Sequence, residues 1–199
     1  SFLIAEQDGF VAHNYRGDSF VSSHRRRAFI NYGNQPSMQT GYIFNYLGQP
    51  WLTQKWIRDV IEDVYSDNSP QKGYSGDEDQ GLMGSLAVLM KMGLFEMKGG
   101  TEIKPAYDIS SPIFDEITIH LDPDYYPGKS FTISTENNSQ KNKYIQSVQL
   151  NGKPLNQSWF YHTDLVNGGT LDFVLGEEPN YDWATNMETL PTSMSDNHK

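Results

Sequence analysis

Apolar residues along this chain fall into two rhythms, one on either side of Gly99-Gly100. Between Trp51 and Tyr65, the residues Leu52, Trp56, Ile57, Val60, Ile61 and Val64 recur at steps of three and four, which predicts an amphipathic helix. A shorter helix is predicted just before it, through Tyr42-Ile43-Phe44-Asn45-Tyr46. A polar loop with Pro36 near the first turn leads into it, and Gly48-Gln49-Pro50 stops it. A third is predicted from near Gly81 to Met92, closed by Gly93. Its apolar residues, from Leu82 and Met83 to Leu89 and Met90, run nearly all the way round, so its outer face needs a cover. Three such helices with short connections read as part of a helical bundle or barrel whose missing cover lies upstream.

Beyond Gly100 the period drops to two. Ile117-Thr118-Ile119-His120-Leu121, Ser130-Phe131-Thr132-Ile133-Ser134, Tyr144 to Leu150 and Leu171-Asp172-Phe173-Val174-Leu175 alternate as half-buried strands do. Asn151-Gly152 is a tight hairpin signal between two of the predicted strands. Short strands at close spacing predict an antiparallel β-sandwich, entered by a crossing segment over Tyr107–Pro112. The fold class expected is therefore α+β, with helices over residues 1–100, a β-sandwich-like module over 101–185 and a polar, frayed tail over 186–199.

Composition narrows the partners. A formal net charge of −10 argues against a nucleic-acid backbone or an anionic membrane surface. The absence of cysteine removes disulfides, thiolate metal sites and a thiol nucleophile. No stretch reads as a signal peptide, and no apolar run is long enough to span a bilayer. The abrupt opening Ser1-Phe2-Leu3-Ile4 suggests a fragment. Aromatic residues are abundant at 13% for so polar a chain, which suits either sugar faces or a β-rich core. Arg16-Gly17-Asp18 and Arg25-Arg26-Arg27 read as a turn and a solvated charge run.

The densest chemistry sits in Gly76-Asp77-Glu78-Asp79-Gln80-Gly81, immediately before the third helix. In an extended loop Asp77 and Asp79 point to one side and Glu78 to the other. Paired carboxylates on a glycine-flexed turn serve acid/base chemistry or a hard cation. The alternative is an N-cap with solvated acids in the first helical turn.

Several words then come in a fixed order: Asn31-Tyr32-Gly33-Asn34-Gln35-Pro36-Ser37, Phe44-Asn45-Tyr46-Leu47-Gly48-Gln49-Pro50-Trp51, Gly76-Asp77-Glu78-Asp79-Gln80-Gly81 and Ser111-Pro112-Ile113-Phe114-Asp115. Leu150-Asn151-Gly152-Lys153-Pro154-Leu155 follows. Over roughly Asn31 to Trp183 the chain resembles the C-terminal part of the exo-acting α-mannosidases of glycoside hydrolase family 92. That resemblance implies an (α/α)6-type catalytic barrel, of which residues 1–100 would be the last helices, and calcium-dependent hydrolysis of α-mannoside glycans with inversion.

It further implies that Asp79 is the general base and Asp77 its helper, with Asn34, Gln35 and Gly76 at the substrate and Gln35 at the Ca2+. The general acid and much of the sugar pocket would belong to the missing N-terminal part of the same protein, leaving this chain inactive alone. Secretion, or a periplasmic or outer-membrane-associated place in a bacterium, goes with the family. Gln35 stands where many members carry Glu, and Leu82 where Gln is usual. An amide can ligate calcium or bond a sugar hydroxyl, but it cannot donate a proton as an acid does. Two other readings are a carbohydrate-binding module using Trp159, Tyr161 or Trp183, and a structural partner in polysaccharide utilisation. Exposed, coplanar aromatic rings would favour the module.

Overall fold

The structure, a computed structural model, describes residues 32–33, 35–66, 69 and 80–193. Short 3-10 turns at Gln35–Ser37 and Thr40–Tyr42 lead into α1 (Ile43–Tyr46), followed by α2 (Pro50–Val64) and α3 (Leu82–Met92). Helix α2 starts on Pro50, where a missing N–H costs nothing. All six residues of its predicted stripe are buried. They form a core with Tyr42 and Phe44 from the entering segment and Met83, Leu86 and Met90 from α3. On the far side of α3, Leu82 and Val88 remain 37% and 57% exposed, as its all-round apolar pattern led one to expect. Three α-helices are described ahead of the strands, and they do not by themselves close a barrel.

Strands begin at Leu94, earlier than the boundary expected near residue 100. The small sheet is β1 (Leu94–Phe95), β2 (Ala106–Ile109) and, later in the chain, β7 (Trp159–Tyr161), in the order β1-β2-β7 and antiparallel throughout. The larger sheet comprises β3 (Glu116–His120), β4 (Ser130–Glu136), β5 (Tyr144–Leu150), β6 (Lys153–Pro154) and β8 (Gly169–Gly176), in the order β3-β4-β8-β5-β6. Phe131, Ile133, Val148, Leu171 and Phe173 from the large sheet meet Leu94, Ile109 and Phe160 from the small one in a second core. The Phe131 and Phe160 rings stack with centroids 5.9 Å apart. Asn151 and Gly152 form the expected hairpin turn between β5 and β6, with φ of 52° and 73°.

Four expectations need correction. Strand β8 inserts between β4 and β5 and runs parallel to β4, so the sandwich is mixed rather than antiparallel. A local hydrophobic alternation defines a strand's faces but says nothing about its direction beside a distant neighbour. The Tyr107–Pro112 segment is not a simple crossing, because Ala106–Ile109 is the central strand of the small sheet. A short helix, α4 (His162–Val166), follows β7 within the β region. Finally, the tail is docked as far as it is described: Met187–Thr189 make a 3-10 turn, and the Trp159 indole N–H donates to the Thr189 carbonyl at 3.0 Å.

Helices and sandwich meet across a polar seam. Gln54 Oε1 accepts the Ile145 N–H at 2.9 Å. One turn further along α2, the buried Arg58 guanidinium donates to the Pro112 carbonyl, to Asn138 Oδ1 at 3.3 Å and to the Ser139 carbonyl at 2.7 Å. Lys143 pairs with Asp59 at 2.6 Å beside it. From α1, Asn45 Nδ2 donates to the Ile109 carbonyl at 3.0 Å, and the Tyr46 hydroxyl donates to Asp108 Oδ2 at 3.3 Å. The face of α2 that sequence alone would leave to solvent is therefore buried against the sandwich.

Gly93 closes α3 in the left-handed region, at φ 77°. A Cβ there would lie 2.7 Å from Pro112 Cγ and 2.8 Å from the Ser110 carbonyl. Gly152 shares that backbone region with open space around it. Gly152→Ala should therefore cost only the conformational penalty of about 1 kcal/mol, and Gly93→Ala at least roughly 2 kcal/mol, since the seam must shift. Thermal melts of the two variants check the order; equal losses would mean that the seam yields freely at Gly93.

Candidate functional site

Gly76, Asp77, Glu78, Asp79 and Asn34 lie outside the described residues, and Gln35 is the expected site residue that the structure places. It opens the Gln35–Ser37 turn with its side chain exposed and its carbonyl accepting the Met38 N–H at 3.1 Å. The acids fall between α2 and α3 in the chain. At the entry of α3 Gln80 and Gly81 both take positive φ, 61° and 93°, and the chain swings sharply before Leu82. No acid lies in the first turn of α3, and no side chain caps it. Ser85 instead turns back on the Gly81 carbonyl, N–H at 2.9 Å and Oγ at 2.7 Å.

The ends of the two site-bearing segments are pinned together by Tyr65. Its hydroxyl donates to the Tyr32 carbonyl at 2.6 Å and touches Met83 Sδ at 3.7 Å. Tyr32 directly precedes the Gly33-Asn34-Gln35 stretch, Tyr65 follows the last residue of α2, and Met83 is in the first turn of α3. Tyr32 and Tyr65 are both buried, and the Tyr32 hydroxyl accepts the Gly41 N–H at 3.0 Å. Burial holds the Tyr32 phenol far above its usual range, so it is a neutral structural hydroxyl and not a proton donor in chemistry. The sequence carried a trace of this junction: Tyr65 continues the apolar stripe of α2 by one residue.

A second constellation went unforeseen. Asp108 in β2 is 3% exposed; the Tyr46 hydroxyl donates to its Oδ2, while Oδ1 has no partner within bonding distance. Burial raises its carboxyl from the ordinary range to about 7, against the opposing pull of nearby Asn45, Tyr46, Met97 and Lys98. It lines a cavity of about 30 Å³ with Lys98, Glu102, Lys104, Trp159 and Tyr161. None of the residues of the Tyr65 junction lines this pocket.

The aromatic residues do not make a flat sugar platform. Trp183 is buried, its indole N–H bonded to the Leu155 carbonyl at 2.9 Å. Trp159 and Tyr161 meet edge to face at 78°. Among the described residues no group of three or more His, Cys, Asp or Glu could hold a metal ion, and no helix is long and apolar enough to cross a membrane. Gln35 fits calcium as one neutral oxygen donor, whereas such an ion takes six to eight.

The described residues thus form a small group of helices docked through a polar seam on a mixed β-sandwich. The model of the glycosyl hydrolase family 92 catalytic domain matches residues 5–177, and the chain belongs to that family. It is similar to a family GH92 α-mannosidase, BT3965 of Bacteroides thetaiotaomicron, solved in complex with mannoimidazole: 32% identity and a TM-score of 0.74, over 82% of this chain and 20% of that one. The inverting mannosidase BT2199 of the same species aligns at 31% identity and a TM-score of 0.76, over 97% of this chain and 26% of its own. An uncharacterized secreted glycosidase of Arthroderma benhamiae is 34% identical over 197 residues, which are 96% of this chain and 23% of that protein. The chain thus spans about a quarter or less of these relatives.

Tyr65→Phe leaves a buried carbonyl without its donor and should cost about 1–3 kcal/mol. Exposed Gln35→Ala should stay within about 0.5 kcal/mol of the parent. Parallel thermal melts test the pair, and a Gln35→Ala loss as large as that of Tyr65→Phe would give Gln35 a structural role this geometry denies it.

Proposed function

We propose that this chain forms the closing part of the catalytic unit of a calcium-dependent, inverting exo-α-mannosidase. Its helices would complete a helical barrel, and its sandwich would be the C-terminal module. What carries the reading is the family match, which spans both the Asn34-Gln35 word and the Asp77–Asp79 word; the Tyr65 junction supports it by tying the ends of those segments together. The Bacteroides relatives named as α-mannosidases point to α-mannoside glycans as substrates, α-1,2-linked or joined through a mannosyl phosphate. The Arthroderma relative's name as a secreted protein supports action outside the cytoplasm, in a bacterium the periplasm or the outer-membrane surface. The perpendicular, largely occupied aromatics weigh against a carbohydrate-binding module.

In this reading Asp79 takes the proton from the water that attacks the anomeric carbon opposite the leaving group, and Asp77 orients that water and helps keep Asp79 basic. An inverting pair stands about 6.5–9.5 Å apart to admit the water. The partner acid lies outside these 199 residues, in the remainder of the catalytic unit. Gln35, with Asn34 and Gly76, would face the sugar, and its amide oxygen would hold Ca2+, which when bound organises sugar hydroxyls. Because Gln35 cannot serve as the acid, it would tune specificity.

In the complete catalytic unit, Asp79→Asn should lower mannoside hydrolysis by roughly 10²–10⁴-fold with an unchanged melting temperature. Asp77→Asn should hurt less and Glu78→Gln least. An active Asp79→Asn beside a crippled Glu78→Gln would refute the assignment. Calorimetry on the 199-residue chain alone should show no tight, stoichiometric calcium binding, because most of the six to eight oxygens would come from elsewhere; a tight one-to-one isotherm would place the whole site within this chain.

A further inference from the structure

Asp108 stands out in the polar seam as a buried carboxyl with one oxygen lacking any partner. The Arg58 guanidinium reaches three acceptors, whereas the Asp108 carboxyl has a single donor at 3.3 Å. Two neighbouring groups are also buried without partners, Asn45 Oδ1 and Ser158 Oγ. Asn45 precedes Tyr46 on α1, and Ser158 precedes Trp159, the register partner of Asp108. The cavity beside them has room for a water molecule and little more.

Its cover consists of two segments held by few bonds. Lys98 Nζ donates to Glu102 at 2.7 Å and to Thr192 Oγ1 at 2.8 Å, stitching the 98–104 loop to the tail. Trp159 Nε1 bonds the Thr189 carbonyl, and Pro191 and Thr192 line the pocket directly. Ile103 at the crest of the loop is fully exposed, so little apolar burial holds the loop down.

We propose that the Asp108 carboxyl is a proton-operated latch: protonated, it is held dry beneath the 98–104 loop and the 189–192 tail, and ionised, it draws water into the cavity and loosens that cover. The charged and titratable groups facing it are Tyr42 and Tyr46 from the helical side, Lys98, Glu102 and Lys104 from the loop, and Tyr161 from β7. The tail residues Thr189 to Thr192 add none. Lys98 is already engaged by Glu102 and Thr192, and so it does not close on the carboxylate.

The sign follows from burial. The folded chain holds this proton more tightly than the unfolded one, so the closed state loses stability as pH rises from the ordinary carboxylate range to about 7, and loses no more above that. The open population therefore grows with pH up to about 7 and levels off above it.

Hydrogen–deuterium exchange on the full chain, corrected for intrinsic rates, reads the cover directly. Between about pH 5.5 and about pH 8.5, protection over 98–104 and 187–193 should fall at least about tenfold, while β8 stays unchanged. In Asp108→Asn that fall should vanish. Should this variant fail to fold, Tyr46→Phe decides: without its one donor the carboxyl ionises later, so the midpoint should move to higher pH. Flat protection in the parent would overturn the proposal. So would an undiminished fall in Asp108→Asn, which would point instead to His162, bonded to the Tyr107 hydroxyl at 3.1 Å. An unmoved midpoint in Tyr46→Phe would overturn it as well.

Discussion

Everything in this molecule hangs on the seam where α2 and α1 meet the sandwich, and the seam is made of hydrogen bonds rather than oil. Gln54 satisfies the Ile145 N–H, and Arg58 gathers Pro112, Asn138 and Ser139 from two separate connections of the β region. Removing a helix from this surface would strand backbone groups that have no other partner, a penalty that directionless apolar contact does not impose. Polar docking also fixes angle and register, because a guanidinium fork accepts few geometries. The opposite face of α2 supplies the apolar core, so one helix joins both halves.

That arrangement explains how a long polar segment can carry chemistry. Residues 66–80 connect two helices, and connecting segments can vary and still be precise only if their ends are rigid. Tyr65 supplies the rigidity by joining the exit of α2, the strand of chain before Asn34 and the entry of α3. At the entry of α3 the chain turns through positive φ at Gln80 and Gly81.

The same seam holds one group that is poorly served. A carboxyl buried in β2 with one long bond is tolerable as a neutral acid and costly as an anion, whereas Arg58 cannot discard its charge and is held by three acceptors on its two terminal nitrogens instead. The two residues show the alternatives open to a buried ionisable group: several hydrogen bonds to its charge, or neutralisation.

What the sequence determined by itself is local. The stripe on α2, the glycine stop after α3, the alternation in β3, β4, β5 and β8 and the Asn151-Gly152 turn follow from periods and backbone preferences that neighbouring residues impose on one another. The family words, and with them the candidate acids, were legible for the same reason, as continuous strings. Tertiary structure alone decided the rest. Short strands such as Leu94–Phe95 and Trp159–Tyr161 are too brief to show a period, and they exist because Ala106–Ile109 lies between them. The parallel pairing of β4 with β8 joins segments about 40 residues apart, and nothing in either string states a direction. Nothing in the local pattern around Gln54, Arg58 and Asp108 marks them as buried. Only the meeting of helix and sheet took them out of water, and that desolvation gave each its role.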